Sequence, residues 1–153
     1  CIMVPLMEYI EVEANKEKVN LKNLAIADLK GISRVCEKTV MRPDAGLPWD
    51  MVRAMCICED MKAIETILRY IMTFPNIEVL QVNDRFTNDK NGWADCALYI
   101  TAKDEEYKQF VGEIQIVHFK MFVAREQLGA HHAYDDCRFG AELLWMRDAK
   151  QKQ

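Results

Sequence analysis

The sequence predicts an α/β (α+β) domain in which helices pack on a mixed β-sheet of about four to five strands. Three observations point there. The run MVRAMCIC is apolar enough for a buried strand. Met61 to Thr73 carries Ile64, Ile67, Leu68, Ile71 and Met72 on one helical stripe. Two alternating segments then follow, joined by a short acidic connection, as in a hairpin. The 153 residues, half of them hydrophobic, suit a single domain over 1–153 with one core, and the missing initial methionine leaves room for a longer parent chain.

Lys16 to Lys38 mixes charge with Leu21, Leu24, Leu29 and Ile32 at a three-to-four spacing, which predicts a helix. Arg42 to Trp49, with Pro43, Gly46 and Pro48, reads as a loop. MVRAMCIC is the first strand, and the helix from Met61 stops before Pro75. Ile77 to Val82 is a second strand, and the polar loop DRFTNDKNG after it carries the turn signal Asn91-Gly92. Trp93 to Thr101 and Phe110 to Val117 are the hairpin strands around AKDEEY. Beyond Phe119 the pattern is helical to the end, interrupted at Gly129 and Gly140.

Composition narrows the function classes. A net charge of -4 does not mark a nucleic-acid binder, whose footprint is a strongly basic face, so any phosphate site must be local. No run approaches the roughly 18 apolar residues of a membrane span, and CIMVPLM is too short for a signal peptide. The six cysteines lack the spacing of a secreted disulfide scaffold, which predicts reduced thiols and an intracellular, cytoplasmic setting. Cys56 and Cys58 share a strand face and read as buried structural thiols. His131, His132 and Cys137 lack a fourth ligand and a zinc spacing, so the histidine pair reads as buried or interfacial.

Strand alternation puts Glu113, Gln115 and Val117 on one face and Ile114 and Ile116 on the other. The preceding segment repeats this, with Trp93, Asp95, Ala97 and Tyr99 against Ala94, Cys96, Leu98 and Ile100. A face bearing Trp93, Asp95, Glu113 and Gln115 is either a solvated sheet surface or a site, and only convergent partners decide between them. Asp50 is one candidate partner, at the mouth of MVRAMCIC, the strand end where α/β sheets tend to place ligands. Asp50 and Glu113 on neighbouring strands would suit Mg²⁺, which takes one or two carboxylates and completes its shell with water and phosphate oxygens. Lys30, Arg34 and Lys38 recur every four residues and form either a cationic ridge for a polyphosphate or a solvated helix face balanced by Glu37. Glu126 shares the stripe of Phe119 and Phe122, where a carboxylate needs a partner across the sheet or a role near Glu113.

In order and approximate spacing, KNGWADCALYI, GEIQIVH and AHHAY resemble the N-G-Y, E-I-Q-I-R-T and A-H-W-A-Y elements of RelA/SpoT-type guanosine polyphosphate (alarmone) synthetase domains. The resemblance covers about Leu29 to Tyr134 and is closer still to divergent protist and algal versions of the domain. It implies a nucleotidyltransferase fold that moves pyrophosphate from ATP to the 3′-hydroxyl of GDP or GTP with Mg²⁺. By that resemblance Asp50 and Glu113 are the catalytic, metal-holding acids, and Trp93 stands where an aromatic ring stacks on guanine. Lys30 and Lys38 keep the separation of two phosphate-holding lysines, and Glu126 falls where the family has a glutamate in the following helix. Asp28, Met55, Val117 and Ala97 replace cationic or imidazole residues of the family, while Arg53 shares the strand face of Met55. The implied partners are therefore purine nucleotides. The alternative is a catalytically degenerate copy of the fold that serves as a structural or protein-interaction module in a larger assembly.

Overall fold

A computed structural model describes residues 2–41, 48–87, 93–127 and 140. Among these, the elements run α1 (Met3–Glu17), β1 (Leu21–Ile26), α2 (Ile32–Met41), β2 (Val52–Cys58), α3 (Met61–Thr73), β3 (Ile77–Asp84), β4 (Asp95–Ala102), β5 (Val111–His118) and α4 (Phe119–Gln127). The five strands form one mixed sheet in the order β1-β2-β5-β4-β3. β2 and β5 are parallel, and every other neighbouring pair is antiparallel. This is the expected architecture, with β4 and β5 antiparallel as the hairpin reading required.

One face of the sheet carries the main core. Ala54, Cys56 and Cys58 of β2, Leu98 and Ile100 of β4, and Ile114 and Ile116 of β5 pack there with α1 and α3. Each buried Ile or Leu contributes about 1.5 to 3 kcal/mol through water exclusion. α3 buries Ile64, Ile67 and Ile71, and its first turn is capped by Asp60, whose Oδ1 accepts from the Ala63 amide at 2.7 Å. Cys36, Cys56, Cys58 and Cys96 are free thiols, the last three buried.

The amino-terminal half corrects the sequence reading twice. First, residues 3–17 form a helix that the sequence reading left unassigned. Met3, Leu6, Met7, Ile10 and Ala14 make its buried stripe, and Pro5 sits in the first turn, where a missing N–H leaves no helical bond unmade. Second, Lys16 to Lys38 is not one helix but the end of α1, a strand, a connecting segment and α2. The physical reason lies in β1, where the pairing with β2 shifts register between Leu21 and Asn23. Leu21 pairs with Cys58 and Leu24 with Cys56, so both leucines turn toward the core although they stand three apart. An irregular edge strand thus mimics a helical spacing.

No helix among the described residues is long and apolar enough to cross a membrane. The helical reading beyond Phe119 holds for α4; Gly129, His131, His132 and Cys137 lie outside the described residues.

Candidate functional site

The second face of the sheet is polar at its centre. Parallel pairing sets Arg53 beside Glu113 and Met55 beside Gln115, and antiparallel pairing sets Tyr99 against Glu113, Ala97 against Gln115 and Asp95 against Val117. Cross-strand partners share a face, so Arg53, Glu113, Gln115 and Tyr99 form one patch. Glu113 is 5% exposed, and the Tyr99 hydroxyl donates to its Oε1 at 3.4 Å. Burial, then the charges of Glu113 and Asp50, push that hydroxyl up to about 12, with Arg85 opposing them, so both carboxylates act on the same phenol.

Asp50 precedes β2 and therefore lies at the amino end of the parallel strands, with Glu113 near the amino end of β5. The expected position at a ligand-binding carboxyl end does not hold. What makes a site here is the chain on either side of β2. The Ala27 amide donates to the Arg53 carbonyl at 2.9 Å and the Lys30 amide to the Met51 carbonyl at 3.1 Å, which lays residues 27–30 along the start of β2. Lys30 then reaches Asp50 Oδ2, and Lys38 reaches the same oxygen from α2 at 2.5 Å. Lys30 lies ahead of α2, so the two lysines meet through the aspartate and not along one helical ridge. Arg34, on the first turn of α2, pairs with Glu37 of its own helix.

The electrostatics follow from that cluster. Burial pushes the Asp50 carboxyl up, but the two ammonium groups outweigh it and hold the group below the ordinary carboxylate range. Burial draws the Lys30 ammonium down to about 8, with Asp50 pulling against it and the like charge of Lys38 adding to the fall. Asp50 Oδ1 is buried without a hydrogen-bond partner, as is Nε of Arg53, whose Nη2 reaches the Asp28 carbonyl at 3.5 Å. Among the described residues no group of three or more His, Cys, Asp or Glu side chains gathers as for a metal ion; the orphaned Asp50 oxygen and the Glu113 carboxylate are hard oxygen donors of the type Mg²⁺ takes.

Trp93 stands at the other end of the patch. Its indole N–H donates to Asp95 Oδ2 at 2.8 Å, and the Arg125 guanidinium lies 5.3 Å over its ring. Asp95 is fully buried and takes two further bonds from Arg85, at 2.5 and 2.7 Å. The sequence reading overlooked Arg85 because it falls in the loop after β3; only the β3–β4 register, with Asp84 opposite Cys96, brings it against Asp95. Glu126 does not face the sheet: its side chain is 45% exposed and its Oε1 lies 3.1 Å from Nε of Arg125. Trp49, read as part of a loop, packs its ring against Tyr99 with centroids 5.6 Å apart.

No protein-family model matches the chain, and no curated protein matches it. Solved structures do. Small alarmone synthetase 2 from Bacillus subtilis superposes with a TM-score of 0.70 at 16% identity, over 88% of this chain and 77% of that one. A GTP pyrophosphokinase family protein from Streptococcus pneumoniae gives 0.68 at 18% identity, over 83% and 68%. Small alarmone synthetase 1 from Bacillus subtilis, bound to its product pppGpp, gives 0.66 at 15% identity, over 97% and 89%. The chain has the RelA/SpoT-like fold of these small alarmone synthetases.

Proposed function

We propose that this domain binds purine nucleotide together with Mg²⁺ on the polar sheet face and moves pyrophosphate from ATP to the 3′-hydroxyl of GDP or GTP. The observation that carries the reading is the convergence of Lys30 and Lys38 on one oxygen of Asp50 while its other oxygen stays buried and unpartnered, just ahead of the strand that sets Arg53 beside Glu113. The shared fold, one of whose examples holds pppGpp, supports it.

In this reading Lys30 and Lys38 leave Asp50 for the phosphates of ATP, where two ammonium groups offset the polyphosphate charge. Asp50 and Glu113 would hold Mg²⁺, which supplies charge neutralisation at the phosphate oxygens. Arg53 stands beside Glu113 and adds a guanidinium to the same patch. Trp93, fixed at its N–H edge by Asp95, offers a ring face to the guanine, and Gln115 supplies an amide next to Glu113 for ribose or base contacts. Glu113 accepts the proton of the attacking hydroxyl as that oxygen bonds to the β-phosphorus and AMP departs.

A binding-only reading has its own observations. Glu113 Oε1 already accepts from Tyr99, and the patch positions Met55, Ala97 and Val117 bring no cation. A module that binds nucleotide without turning it over, inside a larger assembly, fits those facts. A thin-layer assay with ATP and GDP or GTP separates the two. The proposal expects a guanosine polyphosphate product that disappears in Glu113→Gln; absence of product with nucleotide binding intact leaves the binding module.

A further inference from the structure

We propose that Trp49 is a second base platform, which takes the purine of the nucleotide whose phosphates Lys30 and Lys38 hold. The inference rests on the nucleotide-binding reading above and assigns to it a residue that neither motif nor alternation singled out.

Position makes the case. Trp49 immediately precedes Asp50, so its Cα lies about 3.8 Å from that of the residue on which both lysines converge. Its side chain is held edge-on to Tyr99, with rings 70° apart, and remains 47% exposed. The Tyr99 hydroxyl in turn reaches Glu113. A large aromatic ring that stays half in water, set against Tyr99 on the residue next to Asp50, has the form of a stacking surface.

Trp93 stands apart from this end of the face, beside Asp95 and Arg125. Trp93 lies six residues before Tyr99 on the chain, up to about 20 Å away along extended backbone. One of its faces is already taken by Arg125. The polar face thus has an aromatic ring at each end and the carboxylates between them, an arrangement that fits two bases with a phosphate chain running between. Exposed single aromatics are common on protein surfaces, and what separates Trp49 from those is its place next to Asp50 and its contact with Tyr99.

Calorimetric titration of the protein with Mg-ATP and, separately, with inorganic tripolyphosphate tests this. Trp49→Ala should weaken ATP binding about tenfold, the size of one base–aromatic stack, and leave tripolyphosphate affinity unchanged. Trp49→Phe should recover most of the loss, because any aromatic face can stack. An unchanged ATP affinity in Trp49→Ala overturns the inference, as does an equal loss for both ligands, which would mark a structural residue. If the unsubstituted protein binds neither ligand, the nucleotide reading itself falls and takes the inference with it.

Discussion

At Lys30 an ammonium group with 8% of its side chain exposed faces a carboxylate and a second ammonium, and burial draws its pKa down to about 8. Below that pH the group is charged and attracts phosphate; above it the charge is lost. Tripolyphosphate affinity should therefore fall as pH rises through about 8, and Lys30→Arg, which stays charged, should flatten the profile in a titration series between about pH 7 and 9.5. Asp95 supports a stability prediction of the same grain. Its fully buried carboxylate takes two bonds from the Arg85 guanidinium, while the Arg85 amide donates to the Asp95 backbone carbonyl. Arg85→Met should cost about 3 kcal/mol in urea unfolding, because it strands a buried charge. Asp95→Asn should cost less, since Arg85 is 35% exposed and water can solvate it. Neither the Arg85–Asp95 pair nor the Trp49–Tyr99 contact was legible, because both depend on register and packing. The sheet face of Glu113 was legible from alternation, whereas the convergence of Lys30 and Lys38 on Asp50 needed the packing of residues 27–30 along β2.

Elements show where periodicity informs and where it misleads. α3 was readable to its ends because an unbroken apolar stripe lies between a capping Asp60 and Pro75. β4 and β5 were readable because polar and apolar residues take turns over most of their length and no register shift interrupts their pairing. β1 was not, since its register shift puts Leu21 and Leu24 on one side at a helical interval. α1 carried a visible stripe, and its burial on the core predicts that Ile10→Ala costs about 2 to 5 kcal/mol in urea unfolding while leaving nucleotide affinity unchanged, as the helix packs on the face opposite the site. The α3 cap predicts a pH effect. Asn20 and the Ala63 amide hold the Asp60 carboxyl below its ordinary value of 3.8, so its stabilising share is full above that pH and fades as pH falls through the lower folded-state value. Asp60→Ala should lower the urea midpoint at neutral pH and remove that share of the acid sensitivity.

For the whole molecule, an acidic chain of net charge -4 gathers Lys30, Lys38, Arg53 and Arg85 around the polar sheet face, with Asp50, Asp95 and Glu113 among them. Parallel pairing of β2 with β5 does this: it sets the amino end of β2, with Asp50 and the segment bearing Lys30 beside it, against the strand that carries Glu113. The crossover that makes the pair parallel runs through α3, which packs on the core face of the sheet. The most direct test is calorimetric titration with ATP, GTP and GDP, with and without Mg²⁺, on the unsubstituted protein and on Lys30→Ala/Lys38→Ala. The account predicts Mg²⁺-dependent nucleotide binding that the double substitution weakens by a hundredfold or more, at about 1.4 kcal/mol or more for each lost charge-assisted contact. No binding of any of the three at millimolar concentration, or equal binding by the doubly substituted protein, would contradict it.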